Sequence, residues 1–124
     1  MAKLSERDLY WLAGLLEGEG SFGITRCHVG GRVYLYPLIQ LGMSDEDVIA
    51  RVATLYGAAY GKVKPSRPGN KPRYRTTLTN QRAAALMTLL CPIMGTRRQA
   101  RIREVLRLTT VRSARPFGKR GVYK

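Results

Sequence analysis

The residues of this chain with the most chemistry to offer are Glu17 and Glu19, in the run Leu12-Ala13-Gly14-Leu15-Leu16-Glu17-Gly18-Glu19-Gly20. Leu9, Leu12, Ala13 and Leu16 recur at intervals of three and four, which predicts an amphipathic helix from about Glu6 to Gly18 with both carboxylates at its exit. The carbonyl end of a helix disfavours negative charge, so acids placed there cost stability and ask for a reason. Carboxylate oxygens are hard ligands suited to Mg²⁺, an ion that keeps several waters and shares its shell with phosphate oxygens. Two such acids meeting at a twofold axis would hold metals that activate water and stabilise the leaving oxygen of a phosphodiester. Gly14 and Gly18 form a small-xxx-small pair that lets two helix backbones approach closely. The plainer readings are solvated surface acids and glycines that merely end a helix.

The charge balance points to the same substrate class. Twenty-two Lys and Arg against eight Asp and Glu give a net charge of +14 on 124 residues. A body so small and so basic repels itself until a polyanion neutralises it, and the cations are spread over strands, loops and tail instead of along one membrane-seeking helix. Nucleic acid is the expected partner. The length fits one domain, over about 1–110, with a basic tail over 111–124. Cys27 and Cys91 have no zinc or disulfide spacing, which fits a reducing compartment. No stretch reads as a signal peptide or membrane span, so a soluble intracellular protein without membrane contact or small-molecule cofactor is expected.

The elements that must position the acids follow in order. Ser5-Glu6-Arg7-Asp8 resembles a capping box for the first helix. Ser21–His28 and Arg32–Met43 flank the turn signal Gly30-Gly31, predicting a hairpin. Its second strand alternates Val33, Leu35, Ile39 and Leu41 with Arg32, Tyr34, Tyr36 and Gln40. Ser44-Asp45-Glu46-Asp47 opens a second helix that stops at Gly57. Gly61–Lys64 and Arg73–Thr79 form a second hairpin around a long basic loop. Its register stays open, because Tyr74, Thr76 and Leu78 compete with the arginine face. Asn80 is expected to cap a third helix ending at Cys91-Pro92, and Thr96-Arg97-Arg98-Gln99 to cap a last one. The order is αββαββα plus one helix, an α+β fold with a four-stranded antiparallel sheet. No internal repeat supplies a second copy of the first helix.

The nine residues from Leu12 to Gly20 resemble the LAGLIDADG signature, and the element order is similar to the core of that homing endonuclease family over about Ser5 to Leu108. The resemblance implies a saddle of antiparallel strands lying on DNA and a homodimer joined through the motif helices, with Leu12, Ala13, Gly14, Glu17 and Gly18 at the interface. It implies metal-dependent double-strand cleavage, in the service of intron or intein mobility. The acid at the eighth motif position falls on Glu19, which with Gly18 is the candidate metal site for Mg²⁺, with Mn²⁺ substituting. The family's polar side chain near the end of the second strand falls on Gln40 or Met43. Its basic residue near the start of the last helix falls on Arg97, with Arg98 next.

If the apolar hairpin face packs on helices, Thr25, Arg32, Tyr34, Tyr36 and Gln40 are left to read bases, since Arg pairs with guanine, Gln with adenine, and a two-stranded ribbon fits the major groove. Lys62, Lys64, Arg73 and Arg75 extend that surface, while Arg67, Lys71 and the tail meet phosphates. His28 reads as a strand-end surface residue. With one motif per chain, two copies would read a near-palindromic duplex site. Two functions remain open on these residues: a site-specific DNA endonuclease, or a binding module on the same fold, either an inactive DNA-binding regulator or an RNA-splicing maturase.

Overall fold

In the computed structural model, which describes residues 4–65 and 67–109, the first helix α1 spans Glu6–Glu19. Ser5 starts it, its hydroxyl accepting the Asp8 amide at 3.1 Å and donating to the Asp8 carboxylate at 2.9 Å. Acids in the first turn suit the positive end of the helix. No loop follows. Gly20 is both the C-cap of α1 and the first residue of strand β1 (Gly20–Val29), and its amide bonds the Leu16 carbonyl. A side chain cannot fit at that corner: a Cβ on Gly20 would lie 2.5 Å from Leu16 Cδ2 and 3.0 Å from Leu16 backbone atoms.

Gly30 and Gly31, both at positive φ, turn β1 into β2 (Arg32–Met43), as the two-residue hairpin signal requires. Helix α2 (Glu46–Tyr56) starts at Asp45 and stops at Gly57, whose left-handed conformation lets its amide reach Ala53 and Thr54 carbonyls. Strands β3 (Tyr60–Val63) and β4 (Arg73–Thr79) form the second hairpin. Helix α3 (Asn80–Leu90), a short 3₁₀ turn over Cys91–Ile93 and helix α4 (Thr96–Leu108) complete the described chain. The tail expected over 111–124 lies outside the described residues.

Two expected caps are shifted by one residue. Thr79, not Asn80, is the N-cap of α3, and Asn80 is its first residue with φ of 60°. β4 runs into α3 without a spacer, so a single residue absorbs the change of direction, and Asn is among the few side chains that tolerate the left-handed region. Gly95, not Thr96, is the N-cap of α4. A distant side chain takes the place of the missing cap, as described below.

The sheet is antiparallel in the order β1-β2-β4-β3. Pairing puts Phe22 opposite Ile39 and Ile39 opposite Leu78, on the face that joins Leu12, Leu16, Ile49, Leu86, Ile102 and Val105 in one core. Period two then sends Ser21, Thr25, Tyr34, Tyr36, Gln40, Arg73, Arg75 and Thr77 to the other face, over which no described element lies. The register of β4 is thereby resolved: Tyr74, Thr76 and Leu78 belong to the helix side.

Replacing Gly20 with Ala drives a methyl group into the Leu16 backbone. Urea unfolding should show a loss of about 1–3 kcal/mol relative to the unsubstituted chain, in line with overpacking at a rigid site.

Candidate active site and nucleic-acid surface

Glu19 is the last residue of α1 and is exposed, at the point where the chain enters the sheet. Its side chain opens into a concavity of about 230 Å³ together with Ser21, Gln40, Gly42, Arg73 and Arg75. The sheet register explains that company. Ser21, Gln40 and Thr77 form one row across β1, β2 and β4, and Gly42, Arg75 and Gly61 form the next across β2, β4 and β3, all on the open face. Gln40 is thus brought beside Glu19. Met43, the other reading of that position, is on the opposite face, where it packs against the core.

The two acids of the motif have separate fates. Glu17 Oε1 accepts the Gly95 amide at 2.7 Å, and the Glu17 carbonyl accepts Arg98 Nε at 3.2 Å. The carboxylate therefore sits on the positive end of α4, which lacks a side-chain cap of its own, while Arg98 supplies the cation that the last turn of α1 does not contain. Arg101 adds a bond of 2.8 Å to the Phe22 carbonyl, so α4 grips both sides of the corner at Gly20. The Glu19 carboxylate has no hydrogen bond or ion pair among the described residues.

Several expectations are corrected by this placement. Arg97 is exposed in the first turn of α4 and does not line the concavity of Glu19; Arg98 is committed to the end of α1. Leu12 and Ala13 are 0% and 5% exposed, buried in the chain's own core by the same spacing that made α1 amphipathic, so neither offers a surface to a twin. Glu17 is tied to Gly95. Of the five interface candidates, only Gly14 and Gly18 are exposed, with nothing within 4 Å of a Cβ built on either. Lys62 pairs with Tyr74 and so falls on the helix side of the sheet, away from Gln40 and Arg75.

The remaining cations lie where a polyanion would meet them. Lys64, Lys71 and Arg73 line a second concavity of about 410 Å³ with Ser44 and Asn70, and Arg73 is common to both hollows. Arg67 is exposed in the same loop. Along the first hairpin, Thr25 is opposite Tyr36, Arg32 is exposed near the turn, and Tyr34 and Tyr36 stack with centroids 6.3 Å apart and planes at 5°. His28 is opposite Val33 on the other face, near the turn. All eight acids of the chain fall in helices or their caps and none in a strand, so the open face carries cations and a single carboxylate edge, Glu19.

A hard divalent cation fits the oxygens present. Glu19 is an exposed carboxylate, and the Gly18 carbonyl belongs to the last turn, where helical carbonyls lack a partner four residues ahead. Among the described residues no three His, Cys, Asp or Glu come together, so a cation held here would have Glu19 as its one charged ligand from these residues. Among the described residues no helix is long and apolar enough to cross a membrane.

Descriptions of known protein families give no match to this sequence, and no curated protein matches it. Solved structures do. An archaeal intron-encoded homing endonuclease complexed with DNA, I-Vdi141I, aligns over 80% of this chain at TM-score 0.59 with 16% identity. A group I intron-encoded homing endonuclease complexed with DNA, I-CeuI, aligns over 87% at 0.61 with 14% identity. The I-SmaMI LAGLIDADG homing endonuclease bound to cleaved DNA aligns over 86% at 0.59 with 18% identity. The chain covers 66%, 56% and 37% of those chains respectively, less than two thirds of each.

Losing the Glu17 carboxylate should unlatch α4 from α1. Glu17→Ala is expected to lower the unfolding free energy by about 1–2 kcal/mol, with Glu17→Gln retaining part of it because an amide oxygen still accepts from Gly95. Urea midpoints of the two variants check this.

Proposed function

On the LAGLIDADG homing endonuclease fold that this chain has, we propose that it is one subunit of a homodimeric, divalent-metal-dependent DNA endonuclease that makes a double-strand break at a near-palindromic site. The observation that carries the proposal is the position of Glu19: a carboxylate without a partner among the described residues, at the rim of an otherwise cationic open sheet face. A surface that binds phosphates has no use for a carboxylate beside them unless a cation stands between. Glu19 and the Gly18 carbonyl would hold Mg²⁺ or Mn²⁺, which when bound supplies Lewis acidity toward a phosphate oxygen and a lowered pKa for water.

The bare stripe on α1 supports a twofold assembly. Tyr10, 55% exposed, precedes Gly14 and Gly18 at steps of four, so one face of the helix is left without side chains in its lower half. A second α1 seated there would bring two Glu19 side chains to one axis. Gln40 and Ser21, in the same row of the sheet, would orient water and substrate oxygens about each.

The sheet supplies recognition. A twelve-residue strand such as β2 is about 40 Å long at ~3.3 Å per residue, the length of roughly 12 base-pair steps of a duplex. Thr25, Arg32, Tyr34, Tyr36 and Arg73 would face base edges and sugar-phosphate along the groove, and Lys64, Arg67 and Lys71 the flanking phosphates. Binding should therefore weaken steeply as salt rises.

Incubation with a randomised duplex pool and Mg²⁺ tests the activity. Wild type should cut a defined set of sequences on both strands, and Glu19→Gln should bind the same sequences while cleaving them at least about a hundredfold more slowly. Tight binding without cutting in Mg²⁺ or Mn²⁺ would instead identify a binding module. Gly14→Leu should crowd the helix pair and shift sedimentation toward the monomer; an unchanged dimer would exclude this interface.

A further inference from the structure

The concavity of Glu19 contains cations that no sequence pattern attached to the chemistry. Arg73 and Arg75 both line it, whereas the arginines of α4 do not. The surroundings of Arg75 are distinctive. On the open face its neighbours across the ladders are Gly42 on β2 and Gly61 on β3, so neither adjacent strand places a side chain beside it. Arg73 is held: its Nη2 donates to the Gly42 carbonyl at 2.8 Å. Arg75 is exposed, and its guanidinium makes no hydrogen bond or ion pair among the described residues.

Resting on the nuclease reading of the same site, we propose that Arg75 is a catalytic residue, the guanidinium that touches the non-bridging oxygens of the scissile phosphate opposite Glu19, with Arg73 fixing the floor on which it lies. In the hydrolysis, water oxygen bonds to phosphorus as one phosphorus–oxygen ester bond breaks. One water proton ends on the departing sugar oxygen, and the other stays on or leaves the new phosphomonoester. Negative charge grows on the oxygens around phosphorus during that exchange. A planar fork of N–H donors, free to lie over two glycines, meets it without displacing another side chain. Arg98 and Arg101 are held elsewhere: each gives its Nε–H to a carbonyl, of Glu17 and of Phe22, and neither lines the concavity.

The assignment separates from DNA grip by measuring binding and cutting apart. On a duplex recovered from the randomised pool, affinity is measured in Ca²⁺ and single-turnover cleavage at saturating protein in Mg²⁺, for wild type, Arg75→Gln, Arg75→Lys and Arg97→Gln. Arg75→Gln should slow cleavage of bound DNA by about a hundredfold or more, with affinity little changed and a melting curve like wild type. Arg75→Lys should recover part of the rate, since it keeps the charge and loses the fork. Arg97→Gln should cut normally. Normal cleavage of bound DNA by Arg75→Gln, or a large loss confined to Arg97→Gln, overturns the assignment while leaving the nuclease intact. Wild type that binds and never cuts overturns the nuclease reading and this assignment with it.

Discussion

Everything at the site depends on one electrostatic conflict: two carboxylates at the carbonyl end of a helix, where negative charge is disfavoured. The fold resolves half of it internally. Glu17 is drawn onto the amide of Gly95 at the start of α4, and Arg98 supplies the cation at the end of α1. Glu19, two residues on, points about 200° around the helix from Glu17 and stays exposed, beside the corner at Gly20 where a Cβ would collide with Leu16. Its charge is left to be met from outside. The same contacts that stabilise Glu17 therefore fix where Glu19 stands, which is how packing between α1, β1 and α4 becomes geometry at the candidate site.

A second constraint is the segregation of charge. With the acids confined to helices and caps, the sheet can present one cationic surface without internal ion pairs to compete for it. Among the described residues the ion pairs lie on helices, Arg51 with Asp8 and Arg101 with Glu104, at 3.5 and 2.7 Å. The open face thus keeps its cations available for a polyanion. The cost is self-repulsion, which a polyanion covering the sheet would relieve.

Local features were legible in the sequence, and contacts between distant segments were not. Ser5 and the Leu9–Leu16 spacing announced α1; Gly30-Gly31 and the alternation around Ile39 announced the first hairpin and its faces. Asn80 and Thr96 misled because both look like caps, while the chain turns from strand to helix within one residue at 80 and borrows Glu17 across 78 residues of sequence at 95. The face of β4 could not be chosen from Arg73–Thr79 alone, since each alternate set mixes polar and bulky residues. Only its pairing with β2 put Arg73 and Arg75 beside Glu19. The glycine motif leaves Gly14 and Gly18 exposed on α1, whereas Leu12 and Ala13 in the same word belong to the chain's own core.

The claim that Glu19 is a carboxylate awaiting a divalent cation at a phosphate-binding face has a direct measure in the metal dependence of DNA affinity. For wild type, affinity for the recovered duplex should be weaker in EDTA than in Ca²⁺, because an uncovered carboxylate repels the backbone. Glu19→Gln should bind more tightly than wild type in EDTA and respond little to Ca²⁺. A Ca²⁺ response of undiminished size in Glu19→Gln would place the cation elsewhere and contradict the account.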